Sequence, residues 1–145
     1  MFTCCIAEHR GRRYRLKNIL RYQLPLFVWA IIIFWFSSLT ALPHVKTPII
    51  AADKLAHVFV FFIFCLFSRR ALFFQSALPF LKKWSLVFAF ILTCLYGYLD
   101  EVHQLYVPGR TYDYFDMLAN AIGAFLFIVF FLVINRFRGQ PTQTS

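Results

Sequence analysis

The sequence predicts an all-α integral membrane protein, a small bundle of four transmembrane helices with both termini in the cytoplasm. Hydrophobic residues make up 61% of the 145 positions and charged residues only 14%, an apolar excess over ordinary globular usage. Twenty of the residues are phenylalanine, more than a soluble core of this size would bury. Four long apolar segments, each able to cross the hydrocarbon layer, complete the prediction.

Residues 1–22 form a basic arm that leads into the first apolar segment. Six Lys or Arg residues stand in it against the single acidic residue Glu8. Because these charges adjoin a membrane segment, contact with anionic lipid is favoured over a nucleic-acid partner. No small-residue cleavage pattern follows, so the first segment is expected to stay as an anchor. The cysteines lack metal-ligand spacing and imply no disulfide framework.

The membrane domain is expected over residues 23–135, with spans at about residues 24–42, 48–67, 84–104 and 115–134. Pro43 ends the first span, and Thr47 with Pro48 supplies an N-cap and an N1 proline for the second. The run Ser68-Arg69-Arg70 is expected to close the second span. The polar tail over residues 136–145 is expected to be disordered and cytoplasmic.

The distribution of Lys and Arg predicts the orientation. Twelve of the fifteen lie in the N-terminal arm, in the connection between the second and third spans, or in the tail. The positive-inside rule assigns that side to the cytoplasm, as expected for a multi-pass protein of the inner (cytoplasmic) membrane. Every acidic residue except Glu8 then falls toward the outer face.

Residues 96–123 interrupt the apolar sequence with ionisable and amide groups, so the functional site is expected there. On one helix Gly97, Glu101 and Gln104 share a face, and Asp100 lies at its edge. The following helix repeats this pattern with Asp113, Asp116, Asn120 and Gly123.

Between these helices, Pro108 and Gly109 fit the two central positions of a type II turn. Such a turn is expected to bring the guanidinium of Arg110 among the carboxylates. The structural alternatives are a capping role for Asp113 and Asp116, a purely structural ion pair between Glu101 and Arg110, and interhelical hydrogen bonds from Asn120 and Gln104. The sequence leaves these alternatives open.

In this order, the residues resemble the signature of VanZ-like membrane proteins. The pattern is E-x-x-Q at Glu101 and Gln104, P-G-R at 108–110, then Asp116, Asn120 and Gly123. Upstream, the second helix carries D-K-x-x-H at Asp53, Lys54 and His57, and Ser37 with Ser38 follows the apolar run of the first span. The resemblance covers about residues 24–134. One departure is Phe127, at a place where the family often has a second glycine.

The resemblance implies a bacterial cell-envelope protein, since the founding member of the family is associated with resistance to the glycopeptide teicoplanin. We expect an outward-facing polar site for an outer-leaflet or periplasmic ligand, such as a lipid-linked cell-wall precursor or a glycopeptide. Membrane lipid is the other expected partner, and no nucleic acid, cofactor or metal is expected. The ligand-binding candidates are Asp53, Lys54, His57, Asp100, Glu101, Gln104, Arg110, Asp113, Asp116 and Asn120.

The alternative is a membrane-embedded hydrolase or transferase that acts on a lipid-linked substrate. Glu101 would be its general base, His57 a proton shuttle, and Arg110 with Lys54 an anion clamp. A metal set of His57, Glu101, His103 and Asp116 has no diagnostic spacing. Its members Glu101 and His103 are two residues apart on one helix and face away from each other. Catalysis and the oligomeric state are left open.

Overall fold

The computed structural model describes residues 17–39 and 49–138, and the side chains of residues 17–39 and 53–138. Throughout these residues the regular structure is helical. A π-helical segment, Ile19–Gln23, continues into α1, Leu24–Ser37. The helices that follow are α2 (Ile49–Phe74), α3 (Pro79–Lys83), α4 (Ser85–Gln104) and α5 (Tyr114–Arg138).

The prediction of an all-helical, four-span membrane protein is confirmed. Four segments are long and apolar enough to cross a membrane, namely Ile19–Ser37, Asp53–Phe74, Ser85–Gln104 and Tyr114–Arg138. Much of their apolar surface is exposed, as lipid-facing side chains are. Backbone hydrogen bonds inside each helix satisfy the peptide groups that lipid cannot.

Three helices differ in their bounds from the predicted spans. The first span covers Ile19–Ser37 instead of about 24–42, and two others extend further at their C-terminal ends. We expected α2 to close at Ser68-Arg69-Arg70, but it continues to Phe74, and α5 continues past residue 134 to Arg138. The reason is that arginine is a good helix former and that its long side chain reaches polar surroundings while its backbone stays helical. The predicted caps at Pro43, Thr47 and Pro48 lie outside the described residues, as do residues 1–16 and 139–145.

Helices α2, α4 and α5 pack against one another, and α1 lies along α2 and the end of α4. At Gly123 the backbones of α5 and α2 are so close that an added Cβ would overlap the Val58 carbonyl oxygen. An added Cβ at Gly97 would lie 3.1 Å from both the Asn120 side chain and the Phe61 ring. Small residues therefore set the spacing of the bundle, as is usual in membranes.

Two hydrogen bonds to backbone carbonyls attach α1 to its neighbours. The Trp29 indole N–H donates to the Val60 carbonyl at 3.1 Å, and the Tyr96 hydroxyl donates to the Ala30 carbonyl at 2.6 Å. Both are polar tips of otherwise apolar side chains, which seek such partners when they are buried. They hold α1 in place at mid-span.

Charge divides the described bundle into two ends. The acidic residues lie where α2 and α5 begin and where α4 ends, at Asp53, Asp100, Glu101, Asp113 and Asp116. We call this the acidic end. The opposite, basic end carries Arg21, Arg69, Arg70, Lys82, Lys83, Arg136 and Arg138.

Replacing Gly123 by alanine is expected to lower the free energy of unfolding by about 1–3 kcal/mol, the usual cost of overpacking. The added methyl group would have to push α5 away from the Val58 carbonyl. The measurement is reversible unfolding in mixed detergent, followed by circular dichroism. Ile122→Val on the exposed side of the same helix is the control, and equal stability of the two variants would contradict the close contact.

Candidate functional site at the acidic end

An ion cluster joins the second turn of α2 to the N-cap and first turn of α5. The Lys54 ammonium group donates to Asp113 Oδ2 at 2.5 Å and also to Asp116 Oδ1. The side chains of Lys54 and Asp116 are 25% and 11% exposed, so the pair lies largely out of water. At such depth each charge depends on its partner, which makes this contact an interhelical clamp.

Asp113 has a second role at the start of α5. Its carboxylate accepts the Phe115 backbone N–H at 2.8 Å, which is the contact of an N-cap residue. The hydrogen bond from Lys54 lowers the pKa of Asp113, and the Phe115 N–H acts in the same direction against desolvation. The sequence left a capping role open for Asp113 and Asp116. Asp113 has that role in the structure, and its cap coexists with the ion pair to Lys54.

Glu101 is fully buried and faces α5. Its Oε2 accepts the backbone N–H of Asp113 at 3.3 Å. Its Oε1 has no hydrogen-bond partner among the described residues. Glu101 therefore binds the backbone at the start of α5 through one carboxylate oxygen, and its other carboxylate oxygen makes no hydrogen bond to a described residue.

His57 connects the ion cluster to Asn120. His57 Nδ1 lies 2.9 Å from Asn120 Oδ1, and His57 Nε2 lies 3.9 Å from Asp116 Oδ2. The amide oxygen can only accept, so His57 carries a proton on Nδ1 and donates it. Asn120 thereby makes an interhelical hydrogen bond, one of the structural alternatives that the sequence left open.

The end of α1 is attached to α4 by two serines. Ser37 donates to Asp100 Oδ2 at 2.8 Å, and Gln104 donates to the same oxygen at 3.3 Å. Ser38 donates its only hydroxyl proton to the Phe34 carbonyl at 2.7 Å, so it accepts from His103 Nε2, 3.0 Å away. The sequence did not suggest the contact between Ser38 and His103, although both residues stand in polar stretches.

The turn before Arg110 forms as predicted, but Arg110 points elsewhere. Gly109 has φ 80°, and the Arg110 N–H donates to the Val107 carbonyl at 3.1 Å. The Arg110 Nε–H donates to the Leu39 carbonyl at 3.3 Å, and the guanidinium has no ion pair with any described carboxylate. The expected pair of Arg110 with Glu101 or its neighbours is therefore wrong. Lys54 already holds Asp113 and Asp116, and the turn directs Arg110 toward α1.

A groove of about 470 Å³ lies between α1, α2 and α4 at the acidic end. Its apolar wall includes Phe36 near the acidic end and, deeper along the helices toward mid-span, Trp29, Ile32, Ile33, Val60 and Phe61. Its polar mouth includes Ser37, Asp53, His57, Asp100, Gln104 and Arg110. Concave apolar pockets with a few placed polar groups are the usual form of a ligand site.

The structure separates the ten predicted site residues into two groups. Five line the groove, namely Asp53, His57, Asp100, Gln104 and Arg110. The other five lie behind it in the contacts among α2, α4 and α5, namely Lys54, Glu101, Asp113, Asp116 and Asn120. His57 belongs to both, since it lines the groove and bonds to Asn120.

Within the described residues, Asp53, His57 and Asp116 are the group that could hold a metal ion. Their ligand atoms lie within 4.8 Å of one another. A cation there would compete with the Lys54 ammonium for Asp116. The set that the sequence suggested, with Glu101 and His103, is not gathered here, because Glu101 bonds to the Asp113 backbone and His103 to Ser38.

Comparison with known proteins gives one match. The sequence model of a protein family described as VanZ/LLP1 matches residues 6–135. No curated protein and no solved structure matches the chain significantly.

Replacing Lys54 by methionine is expected to lower the free energy of unfolding by roughly 3 kcal/mol, the lower end for breaking a buried pair. Asp113 and Asp116 would lose the cation they share. Arg110→Gln is the matched control. It loses one hydrogen bond to a carbonyl and should cost about 1 kcal/mol. If the two variants unfold alike in an SDS titration, Lys54 is not the clamp.

Proposed function

The chain belongs to the VanZ/LLP1 family, and from that membership and the shape of the groove we propose that it binds an amphipathic envelope ligand. The polar part of the ligand lies at the groove mouth, and its apolar part lies along the apolar wall. The ligand class we propose is a lipid-linked cell-wall precursor, with a glycopeptide as the other candidate. With the orientation expected from the positive-inside rule, the site opens to the outer leaflet.

The observation that supports the proposal most is the two-part lining of the groove. Trp29 and Phe36 from α1 and Val60 from α2 form the apolar wall. Asp53 and Arg110 stand at the mouth. A water-soluble metabolite would leave the apolar wall without a contact, and an acyl chain would leave the polar groups at the mouth without a partner. An amphiphile uses both, and it reaches the groove from the bilayer.

The charges at the mouth indicate what the polar part carries. Asp53 is exposed and presents acceptor oxygens for hydroxyl or amine donors. Arg110 uses its Nε–H on Leu39, and its other guanidinium N–H groups suit a phosphate or carboxylate. A precursor that joins a phosphate linkage to a hydroxyl-rich or amine-bearing group meets both requirements.

Binding is favoured over hydrolysis by the position of Glu101. The general base of the alternative reading must reach the substrate, directly or through one water. Glu101 does not line the groove, and its Oε2 is engaged by the Asp113 backbone. We propose that altered access of a glycopeptide to the envelope, as in teicoplanin resistance, follows from ligand binding at the groove.

The binding test uses the purified full-length protein in lipid nanodiscs and a polyprenyl-diphosphate-linked cell-wall precursor, measured by microscale thermophoresis. Arg110→Gln is expected to raise Kd roughly tenfold, as expected for loss of a charged hydrogen bond. Ala56→Trp, at an exposed position of the groove wall, is expected to block binding while the protein stays folded.

Arg136→Gln is the charge-matched control, because Arg136 lies on α5 at the basic end, outside the groove. Its Kd is expected to equal that of the unmodified protein. Tight binding that survives Ala56→Trp would place the precursor elsewhere and refute the proposal.

Glu101→Gln separates binding from catalysis. Glutamine keeps a side-chain oxygen that accepts the Asp113 N–H, so the variant should fold and bind the same precursor within about a factor of three. Glu101→Ala removes that acceptor and should lose about 1–3 kcal/mol of stability. Release of phosphate or sugar from the precursor by the unmodified protein, abolished by Glu101→Gln, would establish the enzyme reading instead.

A further inference from the structure

A second groove, of about 220 Å³, lies between α2 and α5 at the basic end, far from the site described above. We propose that it seats one anionic phospholipid, with the lipid phosphate held by Arg69 and Arg138 and the start of an acyl chain against the phenylalanines of α5. This proposal does not depend on the function proposed for the acidic end.

The groove is positively charged without compensation in the described part of the chain. Arg69, Arg70 and Arg138 line it together with the amide of Asn135. The described carboxylates all stand at the acidic end, and the ion pairs found among described residues involve Lys54 and His57 alone. An anion is therefore the ligand that the electrostatics favour.

Arg69 is held in position before any ligand arrives. Its guanidinium carbon lies 3.6 Å from the centre of the Phe131 ring and 5.1 Å from that of Phe73. The buried Arg69 Nε has no hydrogen-bond partner among the described residues. Buried donors without a partner are rare and costly. The two rings thus orient the guanidinium of Arg69, which lines the groove.

The rest of the lining indicates a lipid rather than a free anion. Leu66, Phe127, Phe130 and Ile134 extend the groove along the apolar parts of the two helices. Its volume is below the roughly 300 Å³ of a typical ligand pocket, so it holds only the phosphate and the first carbons of a chain. Basic pockets between helices at a membrane boundary are known seats of anionic head groups.

The test is native mass spectrometry of the full-length protein, released from detergent that contains equal amounts of dioleoylphosphatidylglycerol and dioleoylphosphatidylcholine. One phosphatidylglycerol is expected to stay bound in preference to phosphatidylcholine. Arg138→Gln is expected to lower its occupancy roughly fivefold, the effect of one cation near a membrane surface. Arg138 is exposed, so this change should not affect folding.

Arg136→Gln is the matched control, two residues away on α5 and outside the groove. It should leave the occupancy unchanged. Phe130→Ala, which removes apolar wall but no charge, should also lower phosphatidylglycerol occupancy. If Arg136→Gln and Arg138→Gln lowered phosphatidylglycerol occupancy equally, the binding would be due to the general positive charge of the surface. Full displacement by millimolar glycerol 3-phosphate would show a site for free phosphate. Either outcome overturns the proposal.

Discussion

The burial of charge in the second turn of α2 and the first turn of α5 is the constraint on which the other contacts depend. Lys54 stands between Asp113 and Asp116, and the Lys54 and Asp116 charges, which lie largely out of water, each need a partner of opposite sign. This requirement fixes the register of α2 against α5. With the register fixed, His57 meets Asn120 about one turn further along, and Gly123 meets the Val58 backbone after that. The Asp113 backbone N–H is then placed against Glu101 of α4. A shift of either helix by one residue would break the ion cluster first and the other contacts with it.

Helix α1 is held differently from the other three spans. Within the described residues its polar contacts to the bundle are few: Trp29 to Val60 and Tyr96 to Ala30 at mid-span, then the two serine contacts to α4 and the Leu39 carbonyl to Arg110. Most of its apolar side chains are exposed. The groove therefore has one rigid side, built on the α2–α4–α5 packing, and one side supplied by a helix with little buried surface. For the amphiphile proposed above, this arrangement would allow entry from the bilayer while the polar groups on α2 and α4 stay in place.

Much of this could be predicted from the sequence, because the apolar runs, the Pro108 and Gly109 turn and the helical spacing of polar residues each have a local cause. The rest depends on which helix lies beside which. The spacing in the sequence predicts that Asp100 and Glu101 lie on adjoining faces of α4. Which helix each one contacts depends on the packing: Asp100 bonds to Ser37 on α1, and Glu101 bonds to the start of α5. The prediction for Arg110 was wrong for the same reason. The carboxylates nearest to it in sequence, Asp113 and Asp116, pair with Lys54 of α2, and the sequence does not show that α2 lies beside them. Helix ends were misjudged at the basic end because arginine signals a membrane boundary without ending a helix.

The division between the groove and the buried contacts gives two motifs of this chain, D-K-x-x-H and E-x-x-Q, a physical meaning. In D-K-x-x-H, Asp53 and His57 line the groove, whereas Lys54 binds α5. In E-x-x-Q, Gln104 lines the groove, whereas Glu101 accepts from the start of α5. Each motif thus couples groups that face the groove to one that anchors the same turn of helix inside the bundle. The anchoring residue and its neighbours in the groove lie on the same helix. The buried contacts of the anchor therefore also fix the positions of the groove residues. The spacing of the two motifs in this chain is then the spacing needed to hold a polar mouth in place at a membrane boundary, where unanchored polar side chains would turn toward water.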